Sequence, residues 1–169
     1  MTLAESFLPD YDFEMPSTRR LLERVPADRF AWKPHAKSMP LGYLASLVAT
    51  MPSWIDMMVN LDEFDLKSSA AAKFKPLEWK KRTDLVEALN TGVEQARHAL
   101  RGTTDEHLLK PWRFMIGDHV ASESPRHVMI ADAVFSHLAH HRGQLTVYLR
   151  LNEASVPALY GPSADEGRF

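Results

Sequence analysis

The 169-residue chain contains no cysteine. That absence excludes disulfides, thiolate metal ligands, iron–sulfur clusters and a cysteine nucleophile, so any nucleophilic sulfur has to arrive with a substrate or cofactor. An excess of one charge is missing as well. Twenty Lys plus Arg stand against 22 Asp plus Glu, a formal net charge of −2 with histidines neutral. No concentrated basic stripe or basic recognition helix stands out, so nucleic acid is not an expected partner. No stretch approaches the roughly 20 apolar residues that a membrane span requires. The opening Met1-Thr2-Leu3-Ala4-Glu5-Ser6 has neither a basic nor an apolar leader region. The expectation is a cytoplasmic protein with no membrane partner. The seven glycines and 11 prolines are scattered rather than gathered in a linker, and no repeat period is visible. One domain over residues 1–169 is the simplest organisation.

What is present is apolar content of 45%, enough to bury a real core at this length. A first helix is expected from about Asp10 to Arg24, with Phe13, Leu21 and Leu22 facing inward and Pro16 kinking it or marking a late start. A second begins at Ser38 as N-cap and carries Leu41, Leu44, Ala45, Val48 and Met51 at spacings of three and four. Pro52 bends the chain before Trp54 to Val59. The stretch Asp65 to Lys81 lacks periodicity and reads as an exposed connection. Thr83 to Leu100 forms a third helix, with Leu85, Leu89, Val93, Ala96 and Leu100 inward and Gly102 stopping it. Between Leu108 and Val120 the residues alternate loosely, and Gly117-Asp118 suits a turn, so a short hairpin is expected there. Ser124 then caps a long helix from Arg126 to about Leu151, with Pro125 in its first turn. The fold class that follows is all-α, a four-helix bundle with long crossover connections and a short hairpin before the last helix.

Eight histidines occur, and His137 and His141 are the pair to watch. At about 100° per residue they lie roughly 40° apart, one turn along a single helix face. Ile130, Val134, Leu145 and Tyr148 share that face, so both rings are expected to point toward the core or a cavity in it; His140 projects toward its edge. Two neutral imidazoles at (i, i+4) can supply two ligands to one divalent cation such as Zn²⁺ or Ni²⁺. Hydrogen-bonded core histidines show the same spacing. Neither H-E-x-x-H nor E-x-x-H occurs, which removes the specific support for metalloprotease and di-iron readings. An intrahelical or interhelical ion pair is the expected use of Arg142. Gly143, costly inside a helix, suggests close helix approach.

The run His137-Leu138-Ala139-His140-His141-Arg142-Gly143-Gln144-Leu145, then Tyr148-Leu149-Arg150 and Val156-Pro157-Ala158-Leu159-Tyr160-Gly161-Pro162-Ser163, resembles the end of a DinB/YfiT-like protein. Trp32-Lys33-Pro34-His35, Ser38-Met39-Pro40-Leu41-Gly42-Tyr43-Leu44-Ala45 and Met51-Pro52-Ser53-Trp54 extend the similarity over most of the chain. The resemblance implies a four-helix bundle with a divalent-metal pocket, a homodimer, and for some relatives chemistry that depends on a low-molecular-weight thiol cofactor. The family's second helix reads L-A-x-H, and its histidine completes a three-histidine site. Here Leu44-Ala45-Ser46 is followed by Leu47, so His137 and His141 match two ligands while the third position holds a side chain that cannot coordinate. Met51 and Asp56 are no obvious substitutes.

Two functions therefore stand open. One is a metal-dependent hydrolase or thiol-dependent transferase working from a two-histidine site. The other is a non-catalytic dimeric module that binds a small molecule or a partner and has lost the metal.

Overall fold

The structure, a computed structural model, describes residues 1–69, 71, 79 and 81–167. Its longest elements are helices α1 (Leu3–Leu22), α2 (Leu41–Thr50), α4 (Arg82–Gly102) and α7 (His137–Leu151). Shorter helices are α3 (Trp54–Asn60), α5 (Asp105–Leu109) and α6 (Arg126–Ile130). Strands β1 (Glu63–Asp65), β2 (Pro111–Ile116) and β3 (His119–Pro125) form one three-stranded sheet in the order β1-β2-β3.

That sheet overturns the all-α expectation. Strands β2 and β3 pair antiparallel across Gly117-Asp118, with Ile116 opposite His119 and a register shift between Phe114 and Met115. Gly117 adopts φ +63°, a left-handed conformation that glycine takes without a Cβ penalty. Strand β1 joins β2 in parallel, Phe64 opposite Phe114. Three residues are too few to display an alternating pattern, and Glu63-Phe64-Asp65 lies at the edge of a segment read as connection. Residues 70, 72–78 and 80 of that expected connection lie outside the described ones.

Helix α1 begins well before Asp10, at a capping box: the Thr2 hydroxyl accepts from Glu5 N, and Thr2 N donates to the Glu5 carboxylate. Two backbone donors are thereby satisfied at once. Pro9 and Pro16 both sit inside it, while Tyr11, Met15, Thr18 and Leu22 keep the buried 4-3-4 spacing of one helical stripe. Helix α2 starts three residues after Ser38, with Pro40 at its N-cap position and no side-chain cap. Met51–Ser53 forms a 3-10 turn that bends the chain into α3, as Pro52 leads one to expect. Gly92 of α4 accommodates this turn: a Cβ there would lie 2.9 Å from Ser53 Cβ. Helix α4 buries Leu85, Leu89, Val93, Ala96 and Leu100, the stripe read from its sequence. Ser124 belongs to β3, and Pro125 stands at the N-cap position of α6.

Two buried arginines tie these elements together. Arg126, 1% exposed, donates from Nε to Met58 O (3.0 Å), and from its terminal nitrogens to Pro111 O (3.0 Å), Leu61 O (3.2 Å) and the Asp62 carboxylate. It thereby neutralises carbonyls at the end of α3 and fastens them to the start of β2. Arg142, equally buried, pairs with the Glu14 carboxylate of α1 and donates to Thr18 Oγ1 (3.1 Å) and the Tyr160 hydroxyl. Of the two kinds of ion pair expected of Arg142, the interhelical one is present. Tyr160 belongs to a tail that runs back along α1. Arg20 donates to Ala158 O (2.8 Å), and Arg24 reaches Ser155 Oγ (2.6 Å) and the Glu166 carboxylate (2.5 Å).

Between α6 and α7 the chain does not run as a regular α-helix. Ala131–Ser136 is a π-helical turn, in which backbone hydrogen bonds reach back five residues rather than four.

Candidate functional site

The π turn decides where His137 points. One buried stripe of this stretch runs through Ile130, Val134, Leu138, His141, Leu145 and Tyr148. The two four-residue steps at the start carry the stripe past His137, which is exposed, whereas His141 is 7% exposed. The expectation that both imidazoles face the core is thus corrected: a wheel drawn at 100° per residue assumes a regular helix, and the extra residue of the π turn displaces His137 to the rim. His140 is exposed, its ring edge-on to His141 with centroids 5.1 Å apart.

The two histidines nevertheless meet. Their Nε2 atoms lie 2.8 Å apart. His141 Nδ1 donates to Gln144 Oε1 at 2.8 Å, which places its proton on Nδ1 and leaves the Nε2 lone pair toward His137. With the His141 proton on Nδ1, the His137 Nε2–H donates to the His141 Nε2 lone pair. A divalent cation that replaced that proton would meet both ring nitrogens. An outer hydrogen bond that fixes ring and tautomer is also what orients a metal-ligating imidazole.

Electrostatics keep both rings neutral. Desolvation lowers the His137 pKa below 6.5, the neighbouring His141 and His140 add to the effect, and Asp132 with the Ala133 carbonyl opposes it. Desolvation likewise lowers His141, against the Gln144 hydrogen bond. The ring of Trp54 on α3 stands beside His137, centroids 6.1 Å apart. Leu47, on α2, is half-buried and packs against the apolar core. Among the described residues no group of three or more His, Asp and Glu side chains is arranged to hold a metal. The donor set open to a cation is thus a two-point mount of neighbouring imidazoles, His141 oriented by Gln144, with any other positions supplied from outside those side chains.

The remaining candidates stand apart from this mount. His35 Nδ1 accepts from Lys37 N in a surface turn (3.2 Å), His107 bonds Val59 O (2.7 Å) and His127 bonds Leu108 O (3.2 Å). Met51 is fully buried core, and Asp56 accepts from Asn60 Nδ2 at 2.8 Å. Gly143 has nothing within 4 Å of a built Cβ, so the close helix approach expected there does not occur. Reading the sequence missed Trp54 as a neighbour of His137. Gln144 had a legible signal, three residues after His141 on a helix; Trp54 lies on a neighbouring helix.

Helices packed around a histidine pair on the last of them, with a small sheet at one end, define the protein class. The chain belongs to the DinB family, whose model matches residues 6–168. The uncharacterized protein YrdA of Bacillus subtilis (strain 168) is 23% identical over 166 residues, 96% of this chain and 90% of that protein. A crystal structure of a DinB-like protein from Bacillus cereus ATCC 10987 superposes with a TM-score of 0.72 at 21% identity, covering 92% of this chain and 97% of that one. The DinB-like protein YjoA of Bacillus subtilis gives a TM-score of 0.65 at 20% identity, over 95% and 99% of the two chains. Among the described residues no helix is long and apolar enough to cross a membrane.

Proposed function

We propose that this DinB-family protein binds a divalent cation, Zn²⁺ or Ni²⁺, at His137 and His141 and uses it in hydrolysis or thiol-dependent group transfer on a small molecule. The observation that carries the reading is the facing of the two Nε2 atoms at 2.8 Å with the outer nitrogen of His141 engaged by Gln144. When bound, the cation would polarise a substrate oxygen or lower the pKa of a bound water or thiol. His141, held by Gln144, fixes the buried side of the mount, and His137 presents the other ligand at the rim, where solvent and a small molecule have access. With no cysteine in the chain, a thiol in such a reaction comes from a separate cofactor. A homodimer is part of this proposal, by likeness to the family.

Leu47 favours a second reading, a module that binds a small molecule or a partner without metal. Metal titration followed by elemental analysis separates the two. One equivalent retained by the parent and lost in a folded His141→Ala variant supports the first. Less than about 0.1 equivalent of Zn, Ni, Mn or Fe after supplementation overturns it.

A further inference from the structure

At the end of α7 the chain reverses through a turn in which Ala154 N donates to Leu149 O (3.0 Å) and Glu153 N to Arg150 O (3.1 Å). The left-handed position of such a turn usually belongs to glycine. Here Glu153 holds it, at φ +56°, where a Cβ is crowded by the following carbonyl. The tail beyond is folded on itself. Ser163 Oγ donates to Val156 O (2.6 Å), Ser163 N donates to Glu166 O (2.8 Å), and Asp165 N (3.1 Å) and Glu166 N (3.0 Å) both donate to Ser163 Oγ.

Two carboxylates then join the tail to the helices, and each also shapes the tail. Asp165 Oδ2 accepts from Val156 N at 2.8 Å and from Arg150 of α7 at 2.6 Å. Glu166 accepts from Ala158 N through Oε2 (3.2 Å) and from Arg24 of α1 through Oε1 (2.5 Å). The group that closes the loop is in both cases the group that fastens it to the bundle. All four charged side chains are partly exposed, the setting in which ion pairs are weak and screened by salt.

We infer that residues 153–166 form a strap latched by these two ion pairs, which opens as one unit at raised ionic strength while the helices stay folded. A carboxylate that leaves its arginine also loosens the backbone amide it holds, so neither latch opens without weakening the other. Relief of the left-handed backbone at Glu153 favours opening, against the latches. The apolar stripes of α1 and α7 do not depend on the strap, which makes the opening a local event. What it uncovers is the seam between those helices: Tyr160 leaves the Glu14–Arg142 pair, and Pro157, buried in the closed form, meets water.

The test is amide hydrogen exchange on the full chain at one pH, in about 0.1 M and about 1 M NaCl, between which the screening length falls from about 10 Å to about 3 Å. The amides of Val156, Ala158, Asp165 and Glu166 are expected to exchange about tenfold or more faster at the higher salt, together, with Leu89, Val93 and Ala96 of α4 unchanged. Asp165→Asn, which keeps an acceptor for Val156 N, is expected to speed exchange at Ala158, on the Glu166 side, as much as at Val156, and to flatten the salt response. Tail exchange within about threefold at the two salt concentrations overturns the strap. Acceleration at Val156 alone in Asp165→Asn shows two separate contacts instead of one unit and overturns it as well. Tail and α4 amides that accelerate together show global unfolding, and the inference falls.

Discussion

Arg126 and the histidine pair lie on one stretch of chain, 126–151, and treat polarity in opposite ways. At Arg126 each guanidinium nitrogen meets oxygen, four backbone carbonyls and the carboxylate of Asp62 in all. At His137 and His141 the inner nitrogens meet each other across 2.8 Å and the outer nitrogen of His141 is held by Gln144. The first arrangement spends every donor on an oxygen of the chain, and so it stabilises. The second pairs two titratable rings with each other at the rim of the fold, and so it is suited to exchange its shared proton for a ligand. The lesson is that burial alone does not mark a site in this fold; ring nitrogens that meet only each other do.

Breaking the closed end of this comparison should have the largest effect. Arg126→Leu leaves several buried carbonyls without donors and is expected to cost about 3 kcal/mol or more of stability, read as a lower urea midpoint. Completing the open end comes next. Leu47→His is expected to tighten Zn²⁺ or Ni²⁺ binding about tenfold or more, some 1.4 kcal/mol, in competition with a chromophoric chelator; unchanged affinity would show that position 47 does not face the mount. Smaller still is Gly143→Ala, which fills open space on an exposed helix face and should stabilise by about 0.5–1 kcal/mol without altering metal uptake.

The smallest effect is a pH dependence. The folded pKa values of His137 and His141 lie below 6.5, so between those values and 6.5 the unfolded chain binds more protons than the folded one. The stability associated with the neutral pair is present above 6.5 and lost as pH falls through the lowered folded values. In the metal-free protein, the drop in thermal midpoint on acidification through this window should be shallower for a His137→Gln, His141→Gln double variant than for the parent. A drop equally steep in both would place the responsible protons elsewhere.

Much of this was legible in the sequence. The stripes of α2 and α4 follow from spacings of three and four, the bend at Pro52 from proline chemistry, and the hairpin from Gly117-Asp118. The N-terminal half of α1 was missed by a reading that started the helix near Asp10 and took Pro16 as a kink or a late start, although Thr2-Leu3-Ala4-Glu5 carries the capping-box spacing that starts it. Strand β1 is too short to declare itself and depends on a parallel partner some 50 residues away. For the site, the (i, i+4) pair and Gln144 were readable because they lie on regular helix. The exposure of His137 was not, because a π turn has no residue signature and moves the buried stripe from position 137 to Leu138.

The tail that lies along α1 also governs the order in which the molecule can be finished. Arg24 and Glu166 stand 142 positions apart, and at ribosomal rates of about 5–20 residues per second that interval lasts on the order of 10 s. During it the arginines at the end of α1, and the Glu14 carboxylate awaiting Arg142, have no partner from the last helix or the tail. The first helix therefore has its apolar stripe and its Arg97–Asp12 pair before the last helix and the tail exist, and is fastened along its other side only at the end.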